Sequence, residues 1–190
     1  LDVNSLLSYS VYDDHSVWVL RDGRAFAIGN GTNGKICGKF PQSLLKKQTE
    51  ISITDSNGKQ CIFLSAVCGT WYTLYLLQTQ DGPDHLKLAY SCYNKEIDTP
   101  VFINTGDLNP VALYGGSLTS AAIDQEGTVI LITESIIKSP KSKPPTVILP
   151  GNERAVSVGC LEQSFFILSE SGAVYKCTPS PKNDTAPELK

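Results

Sequence analysis

Four stretches of this chain repeat one another, and that repetition limits the fold more than any single residue does. Residues 11–23 read VYDDHSVWVLRDG and residues 67–82 read VCGTWYTLYLLQTQDG. Residues 114–127 read YGGSLTSAAIDQEG and residues 158–172 read VGCLEQSFFILSESG. Each copy holds a Ser or Thr (Ser16, Thr73, Ser120, Ser164), a short apolar run, and a polar turn closed by glycine. The turn glycines Gly23, Gly82, Gly127 and Gly172 are 59, 45 and 45 residues apart. A second short segment follows each turn: RAFAIGN, HLKLAYSCYN, TVILITE and AVYKCT. A period near 45 with several strands per unit marks a β-propeller or a related array.

The physical sense of the unit is simple. The runs VWVL, LYLL, AAI and FFIL are short and bounded by turn signals, so they read as strands buried on both faces. Glycine supplies the positive φ of a tight hairpin without steric cost. One such unit cannot bury its own faces and must pack against a neighbouring copy. An aspartate at Phe166, inside FFIL, is on this basis expected to unfold the chain.

The four segments resemble the repeat of the regulator of chromosome condensation family. The first copy carries the resemblance best, with His15-Ser16, Asp22-Gly23, Gly29-Asn30 and then NGKICG at residues 33–38. The fourth keeps Gly159, Gln163-Ser164 and Ser171-Gly172, and PPTVILPGNERAVSVG at residues 144–159 is similar to the family's blade-joining segment. Where the family has Trp-Gly after the outgoing strand, the first copy has Ile28-Gly29, and the third has Thr119-Ser120 in place of His-Ser. Kelch repeats are the nearest competitor through Gly115-Gly116, but a single copy has that pair; no Trp-Asp dipeptide supports a WD repeat. The resemblance implies an all-β chain of about four propeller blades from a plan that usually closes seven.

The expected organisation is a repeat propeller over residues 1–178, with copies at about 9–38, 62–95, 108–135 and 150–178, a hairpin insertion at 39–65, and a disordered tail at 179–190. In the insertion, EISIT and KQCIFL flank Asp55, Ser56, Asn57 and Gly58, and an Asn-Gly between alternating apolar residues is a hairpin signal. As an enlarged surface loop these four residues are the candidate partner contact. KSPKSKPP at residues 138–145 reads as an extended, solvated connector. The chain begins at Leu1 and contains no Met, so it is expected to be processed or cut from something longer. Four blades make either a small closed ring or, as favoured here, a fragment of a seven-bladed plan whose terminal blades are half covered. Association with a missing propeller half or with a second copy is the expected consequence of the fragment.

Composition excludes several function classes. The net charge of −3 supplies no basic face in aggregate, so nucleic acid is not an expected ligand. No apolar run is long enough to span a membrane as a helix. The six cysteines form no C-x-x-C pair, and two separated histidines complete no zinc spacing, so neither metal nor other cofactor is expected. Cys68 and Cys160 adjoin matching glycines, as small buried hydrophobes would, which favours a reduced intracellular setting, cytoplasmic or nuclear.

Catalysis has little to stand on. His15 follows two aspartates, but the resemblance places it and Ser16 in a structural role between blades, matched by Tyr72, Thr119 and Gln163 in the other copies. His85 has no nucleophile near it in sequence, and no G-x-S-x-G, P-loop or H-E-x-x-H pattern is present. Gly29, Gly31 and Gly34 open no helix that could hold a phosphate. The expected function is therefore a non-enzymatic protein-binding scaffold. The alternative implied by the resemblance is guanine-nucleotide exchange on a Ran-type small GTPase, with chromatin association. Inhibition of a bacterial hydrolase by such a propeller has no supporting residue.

Overall fold

A computed structural model of the chain describes residues 3–30, 36, 44–80, 85–92, 100–179 and 188–189. Among the described residues sixteen strands make four antiparallel four-stranded meanders, each in simple order. The first sheet holds β1 (Leu6–Tyr12), β2 (His15–Leu20), β3 (Ala25–Asn30) and β4 (Leu44–Ile51). The second holds β5 (Ile62–Cys68), β6 (Tyr72–Gln78), β7 (Leu86–Cys92) and β8 (Val101–Phe102). β9 (Pro110–Gly115), β10 (Ser120–Asp124), β11 (Val129–Ile132) and β12 (Thr146–Val147) form the third. β13 (Ala155–Leu161), β14 (Ser164–Ser169), β15 (Val174–Thr178) and β16 (Glu188–Leu189) form the fourth. A single α-helix occurs among the described residues, the five-residue α1 (Glu134–Lys138).

Alternation along each second strand splits the core into layers between sheets. In β6, Tyr75 and Leu77 join Val17, Val19 and Ala27 of the first sheet in one cluster. Tyr72, Leu74 and Leu76 turn the other way and meet Ala122, Ile130 and Ile132 of the third sheet. Ala121 and Ile123 then pack with Phe165 and Ile167 of the fourth. The short apolar runs are thus buried on both faces because consecutive residues serve different neighbours. Each such side chain contributes roughly 1.5–3 kcal/mol by leaving water.

The hairpins between second and third strands share one construction. The amides of Gly23, Gly127 and Gly172 donate to the carbonyls of Leu20, Asp124 and Ser169, and all three glycines have φ between 84° and 88°. A side chain would be strained at that φ. At Gly127 it would also meet Arg154, the residue before β13, within 2.7 Å. Gly82 lies outside the described residues.

Two expectations need correction. The fourth run, FFIL, is buried on one face: Phe165 and Ile167 are fully buried, whereas Phe166 and Leu168 are each 37% exposed. Among the described residues no further sheet covers that side. At the other end of the array Leu7, Tyr9 and Val11 are likewise exposed on the first sheet. Each sheet is completed by a fourth strand. Finally, the tail is not wholly without structure, since Leu189 pairs with Cys177 and packs on the last core layer; residues 180–187 lie outside the described residues.

Candidate interaction site

Polar side chains link the sheets at one end of the array. His15 is 3% exposed, with Nδ1 3.2 Å from Asp14 Oδ1 and Nε2 3.0 Å from Thr73 Oγ1 of the second sheet. Tyr72, the residue beside Thr73, reaches the third sheet in the same way. Its hydroxyl donates toward the Thr119 carbonyl at 2.9 Å and lies 2.5 Å from Ser120 Oγ. Burial holds that phenol well above the ordinary tyrosine range. Thr119 continues the series by donating its hydroxyl to the Glu162 carbonyl of the fourth sheet at 2.9 Å.

The fourth copy is shifted by one position from the sequence alignment. Its first hairpin pairs Leu161 with Ser164 as the first sheet pairs Tyr12 with His15, and Glu162 and Asp13 share a positive φ of 52° and 48°. Ser164 therefore stands where His15 stands, and Phe165 takes the place of Ser16, Thr73 and Ser120. Gln163 is not the equivalent of His15. A large polar side chain meets a small hydroxyl at the first two junctions, and at the third the small Thr119 donates to a backbone carbonyl while phenylalanine replaces the hydroxyl residue. Packing, not residue identity, is kept.

The stretch expected as an insertion at 39–65 is instead shared between the sheets, with 39–43 outside the described residues. β4 belongs to the first sheet and ends at Ile51, β5 starts at Ile62, and residues 52–61 carry the chain from one to the other. Between them Asp55, Ser56, Asn57 and Gly58 form a tight turn closed by a bridge between Thr54 and Gln60. Asp55 Oδ1 accepts the amides of Asn57 and Lys59, each at 2.9 Å, and the Gly58 amide donates to the Asp55 carbonyl. Asp124 Oδ1 accepts the amides of Glu126 and Thr128 in the same pattern. The two turns differ at their second oxygen: Asp55 Oδ2 is buried and has no hydrogen-bond partner among the described residues.

Asp55 and Ser56 form one wall of a cleft of about 480 Å³. Phe102 and Ile103, from β8 and the residue after it, make an apolar surface, while Lys87 of β7, Pro140 and Lys141 complete the cleft. Asn104 fixes the far wall, its amide donating to the Pro140 carbonyl and its Nδ2 to the Lys141 carbonyl, both at 3.2 Å. Neither Lys87 nor Lys141 has an ion-pair partner among the described residues. Lys87, Phe102 and Asn104 had no signal in the sequence, and Lys141 belonged to a stretch read as a bare connector. Asn57 and Gly58 belong to the turn but do not line the cleft.

Other chemistry is quiet. Cys61, Cys68, Cys160 and Cys177 are free thiols, and burial raises Cys68 to about 11 and Cys160 to about 12. Cys37 and the Cys92 side chain lie outside the described residues. Among the described residues no cluster of three potential metal ligands occurs, and no helix is long and apolar enough to cross a membrane.

Four consecutive antiparallel sheets, each an ordered meander packed face to face, define a β-propeller chain. Its fold is of the regulator of chromosome condensation type. The chain is similar to Prp20p of Saccharomyces cerevisiae, the yeast RCC1, with a TM-score of 0.65 and 14% identity, covering 99% of this chain and 50% of that one. It is also similar to human WBSCR16, with a TM-score of 0.51 and 12% identity, covering 100% of this chain and 68% of that one. The chain thus spans half the length of the Prp20p chain. The Prp20p structure is described together with that protein's binding to Gsp1p and histones. No family model matches the sequence, and no curated protein matches it.

Proposed function

We propose that this chain is a protein-binding scaffold that performs no bond-making chemistry of its own and works inside the cell. The observation that carries the reading is the division of labour among its polar groups. Buried ones, such as His15, Thr73, Tyr72 and Ser120, bond across sheet junctions, whereas Lys87 and Lys141 have no ion-pair partner among the described residues and stand around an open cleft. A group engaged in holding the fold is poorly placed to exchange protons with a substrate. The exposed face of the fourth sheet belongs to the same reading: Phe166 and Leu168 occupy positions that a neighbouring sheet covers elsewhere, so a further propeller sheet is its matching partner.

Exchange of guanine nucleotide on a Ran-type GTPase is the second reading, favoured by the likeness in fold to Prp20p. The scaffold reading is tested by placing a photo-crosslinking residue at Ser56, in the cleft, or at Leu118, in the turn between β9 and β10. Discrete protein adducts at Ser56, absent at Leu118, are expected in extracts of the source cells. Equal yields from both positions, or none from either, would count against it.

A further inference from the structure

We propose that the cleft beside Asp55 takes an extended acidic peptide segment of a partner protein, its carboxylates paired with Lys87 and Lys141. The inference rests on the scaffold reading and names the chemistry of the partner. Among the described residues, two ammonium groups without ion-pair partners flank the cleft against the carboxylate of Asp55, in a chain whose net charge is −3. An acidic ligand pairs with both, and the positive potential of the cleft draws it out of a predominantly negative field.

The carboxylate has its own requirement. Asp55 is 9% exposed, with Oδ1 held by two amides of its own turn and Oδ2 lacking a donor among the described residues. A buried acceptor left unmade is costly, so a ligand that brings an N–H to it gains more than an ordinary surface contact. A main-chain amide supplies that donor without adding charge. Phe102, Ile103 and Pro140 give the segment an apolar surface to lie on, which a free inorganic anion would not use. The wall at Lys141 is held by the two Asn104 bonds, so the cleft requires little ordering when it is filled.

Fluorescence anisotropy with a short labelled peptide of alternating glutamate and serine tests this, against a lysine–serine peptide and a single-stranded oligonucleotide. The acidic peptide is expected to bind, to weaken with added salt, and to lose about tenfold or more in affinity with Lys87→Glu plus Lys141→Glu. The neutral pair Lys87→Gln and Lys141→Gln serves if charge reversal lowers the melting temperature. Asp55→Asn keeps the turn acceptor but puts an amide NH2 donor where the Oδ2 acceptor was, and should weaken binding about threefold or more. No binding of the acidic peptide, binding indifferent to the lysine variants, or preference for the basic peptide or the oligonucleotide would overturn the proposal. If Ser56 still captures a protein while the acidic peptide does not bind, the peptide chemistry is wrong and the scaffold reading stands.

Discussion

His15 Nε2 and Thr73 Oγ1 sit 3.0 Å apart across the junction of the first and second sheets, 58 residues apart in the chain. A neutral imidazole serves both its contacts by donating through Nδ1 to Asp14 and accepting the Thr73 hydroxyl at Nε2. Removing one partner costs the other a buried hydrogen bond, typically about 1–3 kcal/mol. His15→Ala should therefore lower the denaturant midpoint, and Thr73→Val should lower it by less once combined with His15→Ala. A double-mutant cycle that gives strictly additive losses would show that the pair is not coupled.

Phe165 and Phe166 are neighbours with opposite environments. Phe165 is fully buried against the third sheet, so Phe165→Ala should cost about 3–5 kcal/mol. Phe166 is 37% exposed with Lys176 Nζ 5.9 Å from its ring centroid. Phe166→Asp should leave a folded chain, because the new carboxylate reaches water and faces that lysine. Thermal unfolding of the two variants decides it; equal losses would mean that the outer face is covered in solution.

Which parts of this were readable in advance follows from which parts are local. The turn glycines and the strands beside them are set by short-range geometry, so Gly23, Gly127 and Gly172 stood out. The fourth strands were not legible, because Val101–Phe102, Thr146–Val147 and Glu188–Leu189 are two residues long and leave no period to detect. The fourth copy was misaligned by one residue because Ser164 matched Ser16 in identity, while the fold matches it to His15. Asp55 was singled out as a loop residue, but the cleft joins it to Lys87, Phe102 and Lys141, and no local pattern brings those together.

The turn built on Asp124 offers a separate test of that geometry. Its Oδ1 accepts two amides, at 3.0 Å from Glu126 and 2.7 Å from Thr128, and the residue is 4% exposed. Asp124→Ala should cost about 1–3 kcal/mol, since two amides lose their acceptor. Asp124→Asn should recover most of that, because the amide oxygen still accepts. If both variants unfold alike, the charge and not the turn hydrogen bonding is what matters.

The cysteines predict how stability changes with pH. An ordinary thiol titrates near 9.0, and burial raises Cys68 and Cys177 to about 11 and Cys160 to about 12. A pKa raised by folding means that the unfolded chain loses its protons first. The stability due to these thiols is therefore complete below pH 9.0 and is lost as pH rises toward 11–12. Denaturant midpoints taken from pH 8 to 11 should fall, and Cys160→Ala should flatten the fall. An unchanged slope in that variant would place the alkaline loss elsewhere.

The account holds that this propeller binds proteins without acting on a nucleotide, and release of fluorescent GDP from a Ran-type GTPase tests that most directly. The folded chain is mixed in excess with the loaded GTPase, and the first-order release rate is compared with that of the GTPase alone. The account predicts the intrinsic rate, unchanged within about twofold, a difference of under about 0.5 kcal/mol in the barrier. Acceleration of about tenfold or more, saturating with the concentration of this chain, would contradict it and make the protein an exchange factor.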